Sequence, residues 1–400
     1  MTITETRKRQ KLNLIFNTIR EHPNYTKTEV KNCSGLSMES AMQYVDELIK
    51  AGYIYISGTK GAKVGRKGEC LMVKPDGAYF IGIKFTDLSV NSMLVSLGGE
   101  ILAAEEFMVS EGIANYEILM GYMYRSIDML IDGLTVDQRA KIKAIGIAAP
   151  GFVDTELGVV RQYFNINAKD NIKMRDLLEK KYGISTYIEH TVKTKAISYR
   201  LLPKNRQIND FIYILVGSGV AMATMIDGKL YRSVNNNDGE IGHIIVVPNG
   251  KKCTCGKQGC LETVAGNEAI IQRIKAGIEK GEFCYFSRLG NKKITIDDFI
   301  EAINAGDKDS ILLVDRIAGY IAEVVASAVI VLGPPKIIFC GEYILAEAFQ
   351  KSFRSHLQSL CLHEVYSKLN IEYLRNNKKT DAYDAAQLGF YKQFYNTKLT

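Results

Sequence analysis

The chain has 400 residues, 46% of them hydrophobic and 24% charged, a balance that excludes a disordered or fibrous protein and fits a globular one of two or three domains. Its start, MTITETRKRQKLNLIF, is too charged and interrupted for a secretory signal, and its longest apolar stretch, residues 317–332, contains Glu323 and is too short and polar to span a bilayer. The net charge of +7 is uneven, because residues 1–70 carry twelve Lys/Arg against seven Asp/Glu, a surplus of +5 that leaves +2 for the other 330. A basic N-terminal module on a near-neutral body predicts an acidic partner for that module, most simply nucleic acid.

Residues 8–22 read as a helix with Leu12, Ile15, Phe16 and Ile19 on one face, stopped by His22-Pro23-Asn24. Thr26-x-x-Glu29 is a capping box that opens a short second helix with Val30 inward. Cys33-Ser34-Gly35-Leu36 supplies a tight turn, and Ser37 caps a third helix running to about Lys50. That helix should bury Ala41, Val45 and Leu48 and expose Met38, Glu39, Ser40, Gln43 and Tyr44. The order is that of a helix-turn-helix, whose second helix enters a major groove. A strand at residues 52–57, the loop GTKGAKVGRKG at 58–68 and a return strand near 70–73 add a wing. Its Lys60, Lys63, Arg66 and Lys67 are placed to meet phosphates, and Arg66 beside glycine suits a minor groove. Residues 1–75 are thus expected to be a winged helix-turn-helix that reads double-stranded DNA through Ser37, Met38, Glu39, Ser40, Gln43, Tyr44 and the wing. The competing reading is a structural or partner-binding winged module with a solvated basic loop.

From about Tyr79 the pattern becomes α/β. Residues 80–85, 89–97 and 101–107 read as strands, residues 116–130 as a long helix, and residues 142–147 as a buried strand ending in Ala148-Ala149-Pro150-Gly151. Strands followed by helices recur after Phe211–Val216, so two α/β lobes with a cleft between them are expected, over residues 76–200 and 201–380, with about 380–400 completing the first. His243, Cys253, Cys255 and Cys260 follow the spacing H-x9-C-x-C-x4-C. Four such ligands close a tetrahedral zinc shell with no open position, which predicts a structural Zn2+ rather than a catalytic one. The alternative is three ordinary cysteines in a loop. Cysteines at metal spacing also fit a reducing cytoplasm better than a disulfide framework.

The body resembles the ROK family, named for repressors, open reading frames and kinases. The resemblance is carried by Ala149-Pro150-Gly151-Phe152-Val153-Asp154, Gly217-Ser218-Gly219, Asp227-Gly228-Lys229-Leu230-Tyr231, Glu240-x-Gly-His243, the cysteine set with Leu261-Glu262, Pro335 to Gly341, and Asp384-Ala385-Ala386-x-Leu388-Gly389. It implies an actin-like, hexokinase-type two-lobed fold. The winged helix in front is similar to the repressor branch, which includes xylose and N-acetylglucosamine repressors.

A kinase of this family needs a carboxylate base in an Asn-Asp-Ala-Asn run and an Asp in the first phosphate hairpin. The resemblance aligns the base with Thr191 in Ile188-Glu189-His190-Thr191-Val192-Lys193, and the hairpin Asp with Lys84. A threonine hydroxyl of ordinary pKa cannot act as that base, so the expectation is that the chain is not an enzyme. The family's sugar-side positions persist at Glu240, His243 and Glu262, with Gly151, His190 and Asn165 as further candidates. Paired carboxylates and an imidazole suit hydroxyl groups, although the same residues would also serve simply to support the zinc loop. If His243 ligates the metal through one ring nitrogen, its other N–H can face a ligand. The expectation is a homodimeric repressor of carbohydrate genes, released by a sugar or sugar-phosphate inducer. The alternatives are a sugar kinase with an appended DNA module, and a repressor controlled by a protein partner.

Overall fold

The computed structural model describes residues 3–61, 68–162, 172–234, 238–290 and 292–395. Helix α1 (Ile3–Glu21) buries Ile15, Phe16 and Ile19, the stripe its spacing predicts, and it begins ahead of the apolar run with Thr6 also buried. After the short strand β1 (Tyr25–Thr26), the Thr26 hydroxyl accepts the Glu29 N–H while the Glu29 carboxylate accepts the Thr26 N–H, and this capping box starts α2 (Lys27–Ser34). Gly35 closes α2 in the left-handed region at φ 69°. The Ser37 hydroxyl accepts the Ser40 N–H and caps α3 (Met38–Lys50). Strands β2 (Ile54–Lys60) and β3 (Gly68–Val73) form an antiparallel hairpin, and β1 adds to the other edge of β3. These are the elements of a winged helix-turn-helix. The wing strands run further toward the tip than the glycines suggested.

One expectation for α3 is corrected. Tyr44 is 8% exposed, not solvent-facing. Ala41, Tyr44, Val45 and Leu48 follow the i, i+3, i+4, i+7 rule of a buried helical stripe, so Tyr44 belongs to the inward face.

The chain divides into two compact units, Met1–Gln207 with Lys379–Thr400, and Ile208–Lys378. In the first, β4 (Tyr79–Phe85), β5 (Ser89–Ser96) and β6 (Ile101–Met108) form an antiparallel meander. Helices α4 (Tyr116–Asp132) and α5 (Val136–Ala140) lead to β7 (Ile142–Ala149), the hairpin β8 (Phe152–Asp154) and β9 (Val159–Gln162), α6 (Met174–Tyr182), β10 (Thr186–His190) and α7 (Thr191–Leu201). Strands β7 and β10 run parallel to β4, giving the order β10-β7-β4-β5-β6. Leu119, Met123 and Ile127 of α4 pack on Ile81, Ile83 and Leu94 of this sheet.

The second unit repeats that topology. Its meander is β11 (Phe211–Val216), β12 (Val220–Ile226) and β13 (Lys229–Leu230). Then come α8 (Glu262–Ala265), α9 (Asn267–Ile278), α10 (Ile296–Asn304), α11 (Lys308–Leu332), β14 (Lys336–Gly341), α12 (Glu347–Leu360), α13 (His363–Tyr366) and β15 (Asn370–Arg375). The order β13-β12-β11-β14-β15, with β14 and β15 parallel to β11, matches the first sheet. Two sheets of one topology are the signature of the actin-like, hexokinase-type fold. The continuous apolar run of β11 reflects a strand covered on both faces. Ile317, Ile321 and Val325 of α11 join Phe339, Phe349 and Phe353 in its core.

Helix α14 (Asp381–Phe394) returns to the first unit and lies directly on its sheet. Gly82 and Gly146 are paired neighbours on β4 and β7, and an added Cβ would come within 1.8 Å of Ala382 O and 1.9 Å of Ala385 O respectively. Only glycine at both positions lets the helix backbone approach so closely. At its far end α14 packs on α1, with Phe394 stacked on Phe16 at a centroid distance of 4.4 Å and Asn17 Nδ2 donating to Phe394 O at 2.6 Å.

Candidate functional site

Between β13 and α8 the backbone is held by turns rather than by a ladder. A 3-10 turn at Ile241–His243, the bridges Ile245–Cys260 and Lys252–Gln258, and the Cys253 N–H donated to Lys257 O at 2.8 Å gather four side chains. The ligand atoms of His243, Cys253, Cys255 and Cys260 all lie within 4.8 Å of one another. Cys253 Sγ sits 3.6 Å from His243 Nδ1, and Cys255 Sγ sits 3.6 Å from Cys260 Sγ. Metal–sulfur bonds of about 2.3 Å and metal–nitrogen bonds of about 2.0 Å at tetrahedral angles put neighbouring ligand atoms about 3.5–3.8 Å apart, so the set is sized for a metal ion. A disulfide needs about 2.05 Å, and all eight cysteines are free. Burial, with help from hydrogen bonds to Cys255 and Cys253, pushes the Cys260 thiol up to about 12. A coordinated cation reverses that preference, because it deprotonates the thiol outright.

The His243 ring divides its two nitrogens. Nδ1 faces the cysteines, while Nε2 lies 3.9 Å from Glu240 Oε2. Glu262 opens α8 and accepts a hydrogen bond from the Val220 backbone N–H. Burial raises its pKa above the ordinary carboxylate value, opposed by the His243 charge. An added Cβ on Gly219 would lie 2.6 Å from Glu262 Oε2, so the glycine makes room for the carboxylate. Glu240, His243 and Glu262 thus occur together in the second unit, next to the metal-ligand set. Gly151, at φ 74° just after β7, and His190, at the end of β10, belong to the first unit. Asn165 lies outside the described residues.

In the first unit the C-terminal ends of β4 and β7 meet the start of α7, where open α/β sheets bind ligands. There Lys84 Nζ donates to Thr191 Oγ1 at 2.6 Å, and Thr191 Oγ1 donates to Ala149 O at 3.2 Å. Lys84 is buried and its pKa is lowered to about 8, chiefly by desolvation. Beside it Lys195 of α7 bridges Asp381 at 2.6 Å and Asp384 at 3.4 Å on α14. Burial lifts Asp384 to about 6 against the pull of Lys195. This ionic cluster was not anticipated from the sequence. Its one sequence signal is Lys84 itself, a lone charge in the apolar strand Tyr79–Phe85, which has to find a partner when buried.

On the winged module, Ser37, Met38, Glu39 and Gln43 are exposed and Ser40 is half-buried. Gln43 Nε2 donates to Glu47 Oε1 at 3.2 Å, and Lys60 pairs with Glu29 at 3.2 Å. Lys63, Arg66 and Lys67 lie outside the described residues.

The family model described as "ROK family" matches residues 80–388, and the chain belongs to the ROK family. It is 26% identical over 333 residues to the "DNA-binding transcriptional dual regulator NagC" of Escherichia coli strain K12, covering 83% of this chain and 80% of that protein. It is also 26% identical over 361 residues to a "Xylose repressor" of Caldicellulosiruptor bescii, covering 90% of each. Among solved structures, a ROK family transcriptional regulator described as a homolog of the E. coli MLC protein matches with a TM-score of 0.85 at 23% identity, over 97% of this chain and 98% of that one. This last likeness establishes the fold through the winged module as well as the body. Among the described residues, no helix is long and apolar enough to cross a membrane.

Proposed function

We propose that this chain is a carbohydrate-responsive transcriptional repressor of the cytoplasm. Residues 1–75 read operator DNA, and the ROK body senses a sugar or sugar phosphate without transferring a phosphoryl group. The observation that carries the reading is a Ser37-capped α3 with Met38, Glu39 and Gln43 exposed, joined to a body in which Lys84 is bonded to Thr191, the two positions the family resemblance aligns with kinase carboxylates. Relatives named as transcriptional regulators and repressors support it.

In this reading Zn2+ occupies the His243, Cys253, Cys255 and Cys260 set and holds the loop. Its chemistry there is structural, since all four positions of a tetrahedral shell are protein ligands. Glu240, His243 Nε2 and Glu262 contact sugar hydroxyls, so loop order and ligand contact share one residue. The protein acts as a homodimer on a pseudo-palindromic operator whose half-site spacing follows its two-fold symmetry. Inducer binding favours the state that holds DNA less well, and linkage then requires operator to weaken inducer binding by the same factor.

The test is affinity selection of fragmented genomic DNA on the purified protein at physiological salt, followed by sequencing. Discrete palindromic peaks beside carbohydrate uptake or catabolism genes are expected. No enrichment over bulk DNA overturns the reading.

A further inference from the structure

The first unit holds a partly open cavity of about 200 Å³ where the winged module meets the α/β body. Its walls include Arg20 at the end of α1, Met72 of β3, the Gly98-Gly99 turn between β5 and β6, Arg206 beyond α7, and Gln387 of α14. No residue of α3 lines it, so it is not part of the surface offered to a major groove. The space is smaller than the roughly 300–1,000 Å³ pockets that take drug-sized ligands.

The charged residues of the lining are both arginines, Arg20 and Arg206, set among apolar and neutral polar neighbours. Arg20 Nη1 donates to Tyr395 Oη at 2.9 Å and its Nη2 donates to Leu201 O at 2.8 Å, so this α1 side chain already spans module and body. Arg206 Nη1 donates to Arg20 O at 2.6 Å, while its buried Nε has no hydrogen-bond partner among the described residues. Burial, then the charge of Arg20, hold the Arg206 pKa below its ordinary value, and Arg200 adds to that repulsion while Tyr395 and Glu21 oppose it. The guanidinium groups of Arg20 and Arg200 therefore both repel that of Arg206, with the Glu21 carboxylate opposing them, and Glu21 itself accepts from Tyr395 Oη at 3.1 Å. Like charges gathered in a partly buried space are stabilised by a bound anion, and arginine is the side chain suited to phosphate and carboxylate.

We propose that this cavity binds a small phosphate- or carboxylate-bearing anion, up to about the size of a three-carbon phosphate, held by Arg206 and Arg20 and facing Gln387. The anion ties α1 to the body. Because α3 packs on α1, a ligand here fixes the orientation from which the module meets DNA. This effector site is separate from Glu240, His243 and Glu262, which belong to the second unit, and it stands whether or not a sugar binds there.

The experiment is thermal unfolding and calorimetric titration of the full chain with inorganic phosphate and with glycerol 3-phosphate, ionic strength being matched with chloride. A Tm rise of about 2–4 °C at saturation, with one anion per chain, is expected for the wild type. Arg206→Lys should keep most of the rise and Arg206→Gln should lose it. Gln387→Glu places a carboxylate opposite the arginines, so it should fold with a higher Tm in chloride and no longer respond to phosphate. Equal rises in the wild type, Arg206→Gln and Gln387→Glu would mean an unspecific salt effect and overturn the proposal. No rise in the wild type with either anion would overturn it too. Should Arg206→Gln fail to fold, Gln387→Glu alone decides.

Discussion

Lys84 Nζ donates a hydrogen bond to Thr191 Oγ1 at 2.6 Å, and in the proposed reading this cation and hydroxyl stand at the two positions that a kinase of this family fills with carboxylates. One replacement alone would leave a buried group in need of a partner. Together they satisfy each other, with Ala149 O taking the remaining Thr191 proton at 3.2 Å. In the proposed reading the pair both removes the base and puts a positive charge where a kinase gathers magnesium.

Incubated with Mg-ATP and a panel of hexoses, pentoses and N-acetylated sugars, the protein should release ADP only at the rate of a no-sugar control. A coupled ADP assay checks this. Sugar-dependent turnover at even 1 s⁻¹, on the order of the lower end of ordinary kinase rates, would restore the kinase reading, with Glu189 or His190 as the base to test next.

The same pair gives a stability prediction with a definite pH window. Desolvation lowers Lys84 to about 8 from 10.5, with Asp381 opposing the fall and Lys195 adding to it. Between those two pH values the native state binds fewer protons than the unfolded chain, so stability rises with pH there, and below pH 8 the full cost of burying the cation is present. Lys84→Met removes that cost and loses one hydrogen bond worth about 1 kcal/mol. The variant should be about 1–2 kcal/mol more stable than wild type at pH 7, and the gap should close as pH approaches 10.5. Urea denaturation of both proteins at pH 7 and pH 10 reads it, and a gap that widens at high pH would contradict the argument.

The fold and the metal-ligand set were legible in the sequence for a common reason, that both are written in short-range spacing. The Thr26–Glu29 box, the Ser37 cap and the H-x9-C-x-C-x4-C run each specify geometry over fewer than twenty residues. Tyr44 was misplaced by one helical face, because an amphipathic side chain serves either face of α3 and only the packing decides. What stayed hidden was long-range. The seat of α14 on Gly82 and Gly146, the Lys195 cluster with Asp381 and Asp384, and the Arg20–Arg206 junction join residues 186 to 300 positions apart. No local pattern announces such pairs. The matched topology of the two sheets is equally silent in sequence, since strand order is conserved by backbone pairing rather than by residue identity.

The metal-ligand set predicts a stoichiometric loss on ligand removal. Wild-type protein should release about one zinc per chain on thiol modification, followed with a chromogenic chelator, and Cys260→Ser should release none. Because a metal bound by this set would hold the 243–260 loop against α8, that variant should also unfold several degrees lower, as metal removal does in structural sites generally. Full-strength DNA binding and unchanged Tm in a protein verified to be metal-free would sink the structural role.

Neighbouring residues on α3 should behave in opposite ways. Tyr44→Ala empties a buried position and should cost about 3–5 kcal/mol of stability, while Tyr44→Phe keeps the ring and should leave operator affinity unchanged. Gln43→Ala sits on the exposed face beside it and should leave Tm within about 1 °C while costing about 1–3 kcal/mol of operator affinity. Fluorescence anisotropy on a selected operator fragment and on a scrambled one separates the two. If Gln43→Ala binds both fragments as wild type does, α3 is not the reading helix.

Glu262 ties the ligand proposal to DNA release. Its carboxylate is held by the Val220 N–H and fitted against Gly219, so the truncation Glu262→Ala leaves the backbone alone and removes a hydroxyl acceptor. The variant should bind operator as wild type does but need at least about tenfold more inducer for release, which is the loss of about 1.4 kcal/mol of differential binding. Reciprocity sharpens the measurement, because adding operator to wild-type protein must weaken inducer binding by the factor by which inducer weakens operator binding. Titration calorimetry with and without saturating operator reads that factor directly. Should Glu262→Ala respond to inducer at wild-type concentrations, the ligand is not held by this carboxylate. If the variant is unresponsive while operator leaves wild-type inducer affinity unchanged, Glu262 binds the sugar but release is not allosteric.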